Sequence, residues 1–503
     1  MRKRTFLDAY CRYLTAWYLR FFRKRYAAEY AYVRSCLEQS RARTMYLFGI
    51  TVLRVCEYGR NRIVLLFGRF PTLLISDAGT KTCVYLGRAE LWKIRRSGTL
   101  QLPENPVLME ARSGGRRRLF YDLGPFEKSR AGAGVPRVAG NLLAALLKER
   151  DCPYEVVPVR SGENMPGFFR AFDRVRETFP FLNVGGGDGI VRFSAGDVLL
   201  YPIPDLGEVE TQYQVLKFLK ERGVRICFIV HDIIVMRHPE FFDASLHENM
   251  GRWLRYVSEF SGILAVSRAS EQEFLRWRRE HAADGNEDFF TSWFHLGSDV
   301  CTPVSSRGLP ESCEGLLRKL KRSITFLEVS TIEPRKGYEQ ALDAFENLWK
   351  KGVDVNFVIV GRKGWKMDAF LKRLESHVER GRRLFWLNGI SDEFLDRIYD
   401  VSSAVLMPSE AEGFGLAVVE GAGHGKPLIL RDLPVFREIA GSHATYFSGR
   451  DPEALSGCLE QWLQNYERGT LPSSGDIRIL SWEESARMLL SGLHDMEART
   501  GTH

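Results

Sequence analysis

From Met407 to Leu430 the chain reads Met-Pro-Ser-Glu-Ala-Glu-Gly-Phe-Gly-Leu-Ala-Val-Val-Glu-Gly-Ala-Gly-His-Gly-Lys-Pro-Leu-Ile-Leu. Ala404, Val405, Leu406 and Met407 form a short apolar run stopped by Pro408, the pattern of a strand buried in a parallel sheet. Gly413 and Gly415 free the backbone for a tight turn, and Leu416, Ala417, Val418 and Val419 open an apolar helix that reaches Glu420 within about a turn. The product is a strand, a glycine turn and a helix N-terminus, whose unpaired N–H groups and dipole suit a ligand carrying phosphate. Glu412 beside the turn and Glu420 beyond it are carboxylates, good acceptors for sugar hydroxyls.

Working outward, the same punctuation recurs. Ile324 to Ser330 reads as a strand, followed by Thr331-Ile332-Glu333-Pro334-Arg335-Lys336-Gly337 and a helix marked by Leu342, Phe345 and Leu348. Adjacent cations at a strand end suit the neutralisation of a diphosphate. Asn356 to Val360, Leu384 to Leu387 and Ala404 to Met407 continue the alternation of strand and helix that makes a doubly wound sheet. Upstream, Leu119 to Asp122, Tyr154 to Val159, Asp197 to Tyr201, Val224 to Val230, Ile263 to Val266 and Trp293 to Gly297 read as strands of an earlier sheet. The run Val224 to Val230 ends at His231-Asp232, and ligands of open parallel sheets bind beyond such carboxyl ends. Gly132-Ala133-Gly134-Val135-Pro136-Arg137 lacks the third glycine of a dinucleotide fingerprint, so no nicotinamide or flavin cofactor is expected. Cys301 to Arg322, polar and broken by Pro303, Gly308, Pro310 and Gly315, reads as a hinge. Trp365, in Gly364-Trp365-Lys366, suits either stacking on a ligand or packing, with packing the favoured reading.

Glu412 to Glu420 resembles the paired-glutamate signature of retaining glycosyltransferases of the GT-B fold, family GT4 in particular. Thr331 to Gly337 resembles the phosphate-binding turn of that family. Val230-His231-Asp232-Ile233-Ile234 with His238-Pro239-Glu240 is similar to GT4 enzymes, mannosyltransferases among them, that build bacterial surface polysaccharides. The resemblance spans about residues 116 to 495, with its motifs in family order. It implies an α/β architecture of two Rossmann-like doubly wound domains facing a cleft, behind an N-terminal extension. Residues 1–115 would be that extension, 116–300 the acceptor domain, 301–478 the nucleotide-sugar domain, and 479–503 a return helix and tail. It also implies roles. His231 lies over the donor sugar, Glu412 near the transferred sugar, and Arg335 and Lys336 bear the diphosphate. Gly134 approaches the diphosphate, Ile390 belongs to the base-contacting loop, Gly413, Phe414, Gly415 and Leu416 meet sugar and phosphate, and Glu420 holds the ribose. The reaction implied is front-side transfer of a hexose, with mannose from GDP-mannose favoured and UDP- or dTDP-sugars left open. No Asp-x-Asp cluster accompanies the motifs, so neither a metal nor a cofactor is expected.

The chain has 503 residues, 45% hydrophobic and 27% charged, an ordinary composition with length for two or three domains. A net charge of +8 is modest for this length and does not by itself imply nucleic acid. Nine cysteines without Cys-x-x-Cys spacing argue against zinc and a disulfide framework. No apolar run has the length of a membrane span. Met1-Arg2-Lys3-Arg4 is followed by Asp8 and Arg12 instead of an uncharged core, so a cytoplasmic protein is expected. Phe6, Tyr10, Tyr13, Trp17 and Phe21 fall at helical spacing within a strongly basic stretch, residues 1–35. Such a helix suits contact with the anionic inner face of the cytoplasmic membrane, where a lipid-linked or glycan acceptor would be met. It equally suits a helix packed on the body with solvated arginines. No nucleic-acid module follows it. Residues 36–115 show short apolar runs at Ile63 to Phe67, Thr72 to Ile75 and Cys83 to Leu86, strands separated by turns, and the sequence assigns them no role. A sugar-nucleotide epimerase of the same architecture and a non-catalytic nucleotide-sugar-binding subunit are the alternatives.

Overall fold

The computed structural model describes residues 41–500 except 48–49, 59–60, 67–69, 78–80, 87–88, 96–107, 113–114, 125–133, 162–167, 180–181, 183, 188–190, 205, 207–208, 282–285, 287, 299–307 and 311–312, with residues 41–95 described as backbone. The basic aromatic stretch, Gly132, Ala133 and residues 301–307 and 311–312 of the expected hinge lie outside the described residues, while Cys313–Lys321 within that hinge is a helix.

Arg41–Leu47, Ile50–Tyr58, Asn61–Leu66, Phe70–Asp77, Lys81–Leu86 and Ala89–Arg95 form a six-stranded antiparallel meander in chain order. The short apolar runs of this region thus fall in strands. Downstream, a seven-stranded sheet has the order Phe168–Arg170, Tyr154–Ser161, Arg117–Asp122, Val198–Tyr201, Arg225–Val230, Gly262–Ala265 and Phe290–Trp293. Its first strand runs antiparallel to the next, and Tyr154–Ser161 through Arg225–Val230 pair in parallel.

The last sheet is wholly parallel: Leu384–Leu387, Asn356–Val360, Thr325–Val329, Ala404–Met407, Leu428–Arg431 and Thr445–Phe447. The strand order reverses between Thr325–Val329 and Ala404–Met407, which makes the ends of these two strands the topological switch point where ligands of such sheets bind. Both faces of the sheet are covered. Phe326, Phe357, Ile359, Leu406 and Ile429 pack with Phe345, Leu455, Leu459 and Trp462 on one side. Leu327, Val358, Val405, Met407, Leu428 and Leu430 pack with Leu317, Phe394, Ile398 and Val418 on the other. The alternation follows the period of two along each strand, and continuous apolar runs result because neither face meets water.

Two compact units divide the chain. One holds the described residues up to Pro136, with Leu146–Phe228 and Glu259–Gly262; the other holds Arg137–Ala145, Ile229–Ser258 and Ile263 onward. In the second, the last helix, Trp482–Thr500, starts with a capping box: Glu484 N–H donates to Ser481 Oγ at 3.1 Å and Ser481 N–H to Glu484 Oε2 at 2.9 Å. The helix lies against Leu264 and Ser292, and Ser485 Oγ donates to His295 O at 2.7 Å. Among the described residues no helix is long and apolar enough to cross a membrane. Cys152, Cys227, Cys313 and Cys458 are free thiols.

A buried arginine pins the loop that leaves Ala404–Met407. Arg431, 7% exposed, donates from Nε to Pro408 O at 2.9 Å and Ser409 O at 3.0 Å, and from its terminal nitrogens to Gln340 Oε1 at 2.5 Å and to Gly449 O. Burial lowers its pKa, yet a guanidinium keeps its proton at any working pH. Arg431→Met should therefore orphan several buried acceptors and lower the free energy of unfolding by about 2–4 kcal/mol. Chemical denaturation would measure this, and a change below about 0.5 kcal/mol would contradict the pinning role.

Candidate active site

The turn after Thr325–Val329 is a short 3-10 segment, Pro334–Lys336, entered by Pro334 at a position where its missing N–H and fixed φ cost nothing. It presents Arg335 and Lys336, both largely buried, to the loop after Ala404–Met407. Lys336 Nζ donates to Glu412 Oε1 at 2.5 Å, and Arg335 donates to Glu412 Oε2 at 3.2 Å and Ala411 O at 2.9 Å. Ser409 Oγ adds a bond to Glu412 Oε1 at 2.9 Å, and Arg335 also pairs with Glu333 Oε1 at 2.6 Å. Burial by itself would raise the Glu412 pKa, but Lys336 and Arg335 outweigh it and hold the carboxylate down to about 2. Burial similarly works against the Arg335 charge, and Glu412, Glu333 and Asp232 more than restore it. Beneath the turn, burial pushes the Glu328 carboxyl well above the usual range, with Lys336 opposing the shift. The couple and Glu412 thus form a preorganised, nearly dry charge cluster at the switch point. A diphosphate would find two cations there whose ammonium and guanidinium protons are already aimed at oxygen acceptors.

His231 ends the strand Arg225–Val230 and is 8% exposed. Its carbonyl lies against Gly413, so close that a Cβ on residue 413 would overlap His231 O and come within 3.1 Å of the Asp232 Cβ. Only glycine lets these two backbones meet. Gly413 O in turn accepts from Ser267 Oγ at 2.7 Å and Ser270 Oγ at 3.0 Å, where the strand Gly262–Ala265 passes into the helix Arg268–His281. The N-terminus of that helix is capped from afar: Glu438 accepts from the N–H groups of Arg268 and Ala269, each at 2.8 Å, and bonds His295 Nε2 at 2.7 Å. His295 meets the Phe414 ring edge-on at 5.5 Å. Gly415 has φ +93°, a left-handed conformation that starts the helix Leu416–Gly423 directly after the loop.

The structure brings His231, Arg335, Lys336, Glu412, Gly413 and Phe414 into one constellation. Glu420 stands one helix further. It accepts from the buried Tyr399 hydroxyl at 2.9 Å and pairs with Arg137 at 3.2 Å. Arg137, Asp392, Tyr399, Glu420, His424 and Glu484 line a cleft of about 440 Å³. Ile390 is half-buried on the core beneath the neighbouring helix, where Ser391 caps Phe394 N–H at 3.2 Å. Gly134, with φ +58°, begins the helix Gly134–Lys148 and belongs to the first compact unit. Sequence reasoning did not single out Arg137, Ser270, Tyr399 or Glu438. Arg137 had a local signal, a cation in the first turn of the helix after the glycine loop. The others act across long sequence separations and carry none.

Because the folded Glu412 value lies below the ordinary 4.5, the carboxylate contributes its full stability above about pH 4.5 and loses it as pH falls toward 2. Glu412→Gln should flatten the melting-temperature curve between about pH 5 and pH 3, and cost about 3 kcal/mol at neutral pH by leaving Lys336 buried without a carboxylate. Parallel curves for the two proteins would contradict the pairing.

Residues 317–470 match the family model described as "Glycosyl transferases group 1". The serotype-specific mannosyltransferase WbdA of Escherichia coli is 36% identical over 388 residues, 75% of this chain and 45% of WbdA. The O-antigen chain mannosyltransferase B of Escherichia coli is 27% identical over 283 residues, 53% of this chain and 69% of that protein. The chain thus spans less than half the length of WbdA. Among solved structures, Anabaena Alr3699/HepE in complex with UDP and glucose superposes with TM-score 0.50 at 15% identity, covering 77% of this chain and all of HepE. A glycosyltransferase from Rickettsia africae gives 0.50 at 13% identity, covering 78% of this chain and all of that one. Residues 317–470 therefore match the glycosyl transferases group 1 model, within a chain of GT-B fold that is similar to a mannosyltransferase over three quarters of its length.

Proposed function

We propose that the chain is a retaining, metal-independent hexosyltransferase that moves mannose from GDP-mannose to a glycan or lipid-linked acceptor in surface polysaccharide synthesis. The observation that carries the reading is the Arg335–Lys336 couple held on Glu412 at the switch point. In the resting protein the Glu412 carboxylate satisfies both cations. A donor diphosphate competes for the same protons, and its charge rises as the glycosidic bond breaks, so the cations stabilise the leaving group more than the bound substrate. That shift is where the rate acceleration arises. Glu412 and the His231 strand end then face the sugar, and the acceptor hydroxyl enters on the side the diphosphate leaves, which retains the anomeric configuration. Glu420, already an acceptor for Tyr399, takes the ribose hydroxyls, with Arg137 freed toward phosphate. The mannosyltransferases among the relatives favour mannose, and they give no support to the epimerase or silent-subunit alternatives. A thermal-shift panel should single out GDP-mannose as the strongest stabiliser among nucleotide-sugars. Lys336→Ala and Glu420→Ala should each abolish transfer of labelled mannose while keeping the native circular-dichroism spectrum. Near-normal turnover in either would remove its role.

We further propose that residues 1–35 place the protein on the inner membrane face. Supporting this are nine basic residues against two acidic ones across Met1 to Ser35, interleaved with aromatic rings. Full-length protein should float with anionic liposomes at low salt and a chain lacking residues 1–35 should not. Equal flotation would sink the idea.

A further inference from the structure

Trp365 is the exposed aromatic that the reaction scheme leaves unused. It is 39% exposed, in the loop Gly364-Trp365-Lys366, where Lys366 takes a left-handed φ of 55° that a non-glycine residue adopts only at a cost. The loop is bound to the cation turn: Ile332 N–H donates to Arg362 O at 2.8 Å and Gly364 N–H to Ile332 O at 2.9 Å. A Cβ on residue 364 would lie 3.2 Å from the Glu333 Cβ, so the tryptophan's backbone runs beside the turn that presents Arg335. The indole is set from the other direction by the segment that continues from His231. Its N–H donates to Phe241 O at 2.9 Å, and its ring lies 5.6 Å from the Phe242 ring at 34°. Lys366 Nζ donates to Phe242 O at 2.6 Å and lies 3.6 Å from Asp243 Oδ1.

With its polar N–H satisfied and its ring set against Phe242, the indole is an oriented aromatic that remains part exposed. Lys366 beside it in the chain, and Glu240 and Asp243 flanking Phe241-Phe242, are exposed groups that can bond hydroxyls. An aromatic face rimmed by a few such groups suits a pyranose ring, which is apolar on its C–H face and polar at its edge. We propose that Trp365, backed by Phe242, is a stacking subsite for a sugar of the acceptor glycan, placed where the strand end carrying the cations meets the segment leaving His231. The proposal rests on the reading of Arg335 and Lys336 as the donor-diphosphate site. The strained loop is then explained as the means of turning the ring outward.

The test uses the full chain with Trp365→Ala and Trp365→Phe, and methyl mannotrioside as acceptor probe. Trp365→Ala should raise the acceptor KM tenfold or more while the GDP-mannose Kd stays within twofold. Trp365→Phe, which keeps a ring but lacks the N–H bond to Phe241, should recover most of the acceptor KM. Saturation-transfer NMR with GDP present should show trioside binding to the wild type and its loss in Trp365→Ala, independently of turnover. An unchanged acceptor KM with trioside binding intact in Trp365→Ala overturns the subsite. So does a joint loss of donor and acceptor affinity, or a phenylalanine variant as impaired as the alanine one, since either marks a structural clasp. Trioside binding that depends on Trp365 without any mannose transfer would instead overturn the donor reading and leave the subsite standing.

Discussion

The Lys336–Glu412 pair is the constraint on which the rest of the site depends. A lysine and a glutamate that are both largely buried cannot stay charged unless each has a partner, since the desolvation of an isolated ion exceeds any packing gain. Their mutual bond, shared with Arg335 and Ser409, therefore fixes the loop after one strand against the turn after another. The two strands are neighbours across the point where the sheet order reverses. Everything that touches either loop inherits this geometry: Gly413 on the His231 carbonyl, Ser267 and Ser270 on Gly413, and Arg431 on Pro408. In the resting protein both cations are held by a carboxylate, an acceptor of the same class as a phosphate oxygen.

The parallel sheet was legible because its strands are buried on both faces and read as apolar runs closed by proline or glycine. Asn356–Val360, Leu384–Leu387 and Ala404–Met407 fall where those runs predict. Trp293 to Gly297 shows the limit of that rule. The ladder covers Phe290–Trp293 instead, and the buried Phe294 and Leu296 belong to extended chain that meets the C-terminal segment through the bridge of Gly297 with Leu480. Burial gives the same apolar text whether the backbone pairs in a sheet or not.

The site was legible to the extent that its residues sit in local motifs. Arg335 and Lys336 announce themselves as adjacent cations at a strand end, and Glu412 as a carboxylate before a glycine turn. What holds them was invisible. Glu438 caps a helix some 170 residues earlier in the chain, and Arg431 satisfies carbonyls 22 and 23 residues away. Such bonds have no periodicity or spacing that a single sequence can display. Trp365 lies between the two readings its text allows: the ring packs against Phe242 and its N–H bonds Phe241 O, yet it stays 39% exposed.

If the buried cations serve a donor diphosphate, a crystal structure with GDP-mannose bound should show phosphate oxygens within hydrogen-bond reach of Arg335 and Lys336, with Lys336 Nζ withdrawn from its 2.5 Å contact with Glu412. A bound donor with its phosphates elsewhere and that contact unchanged would contradict that role.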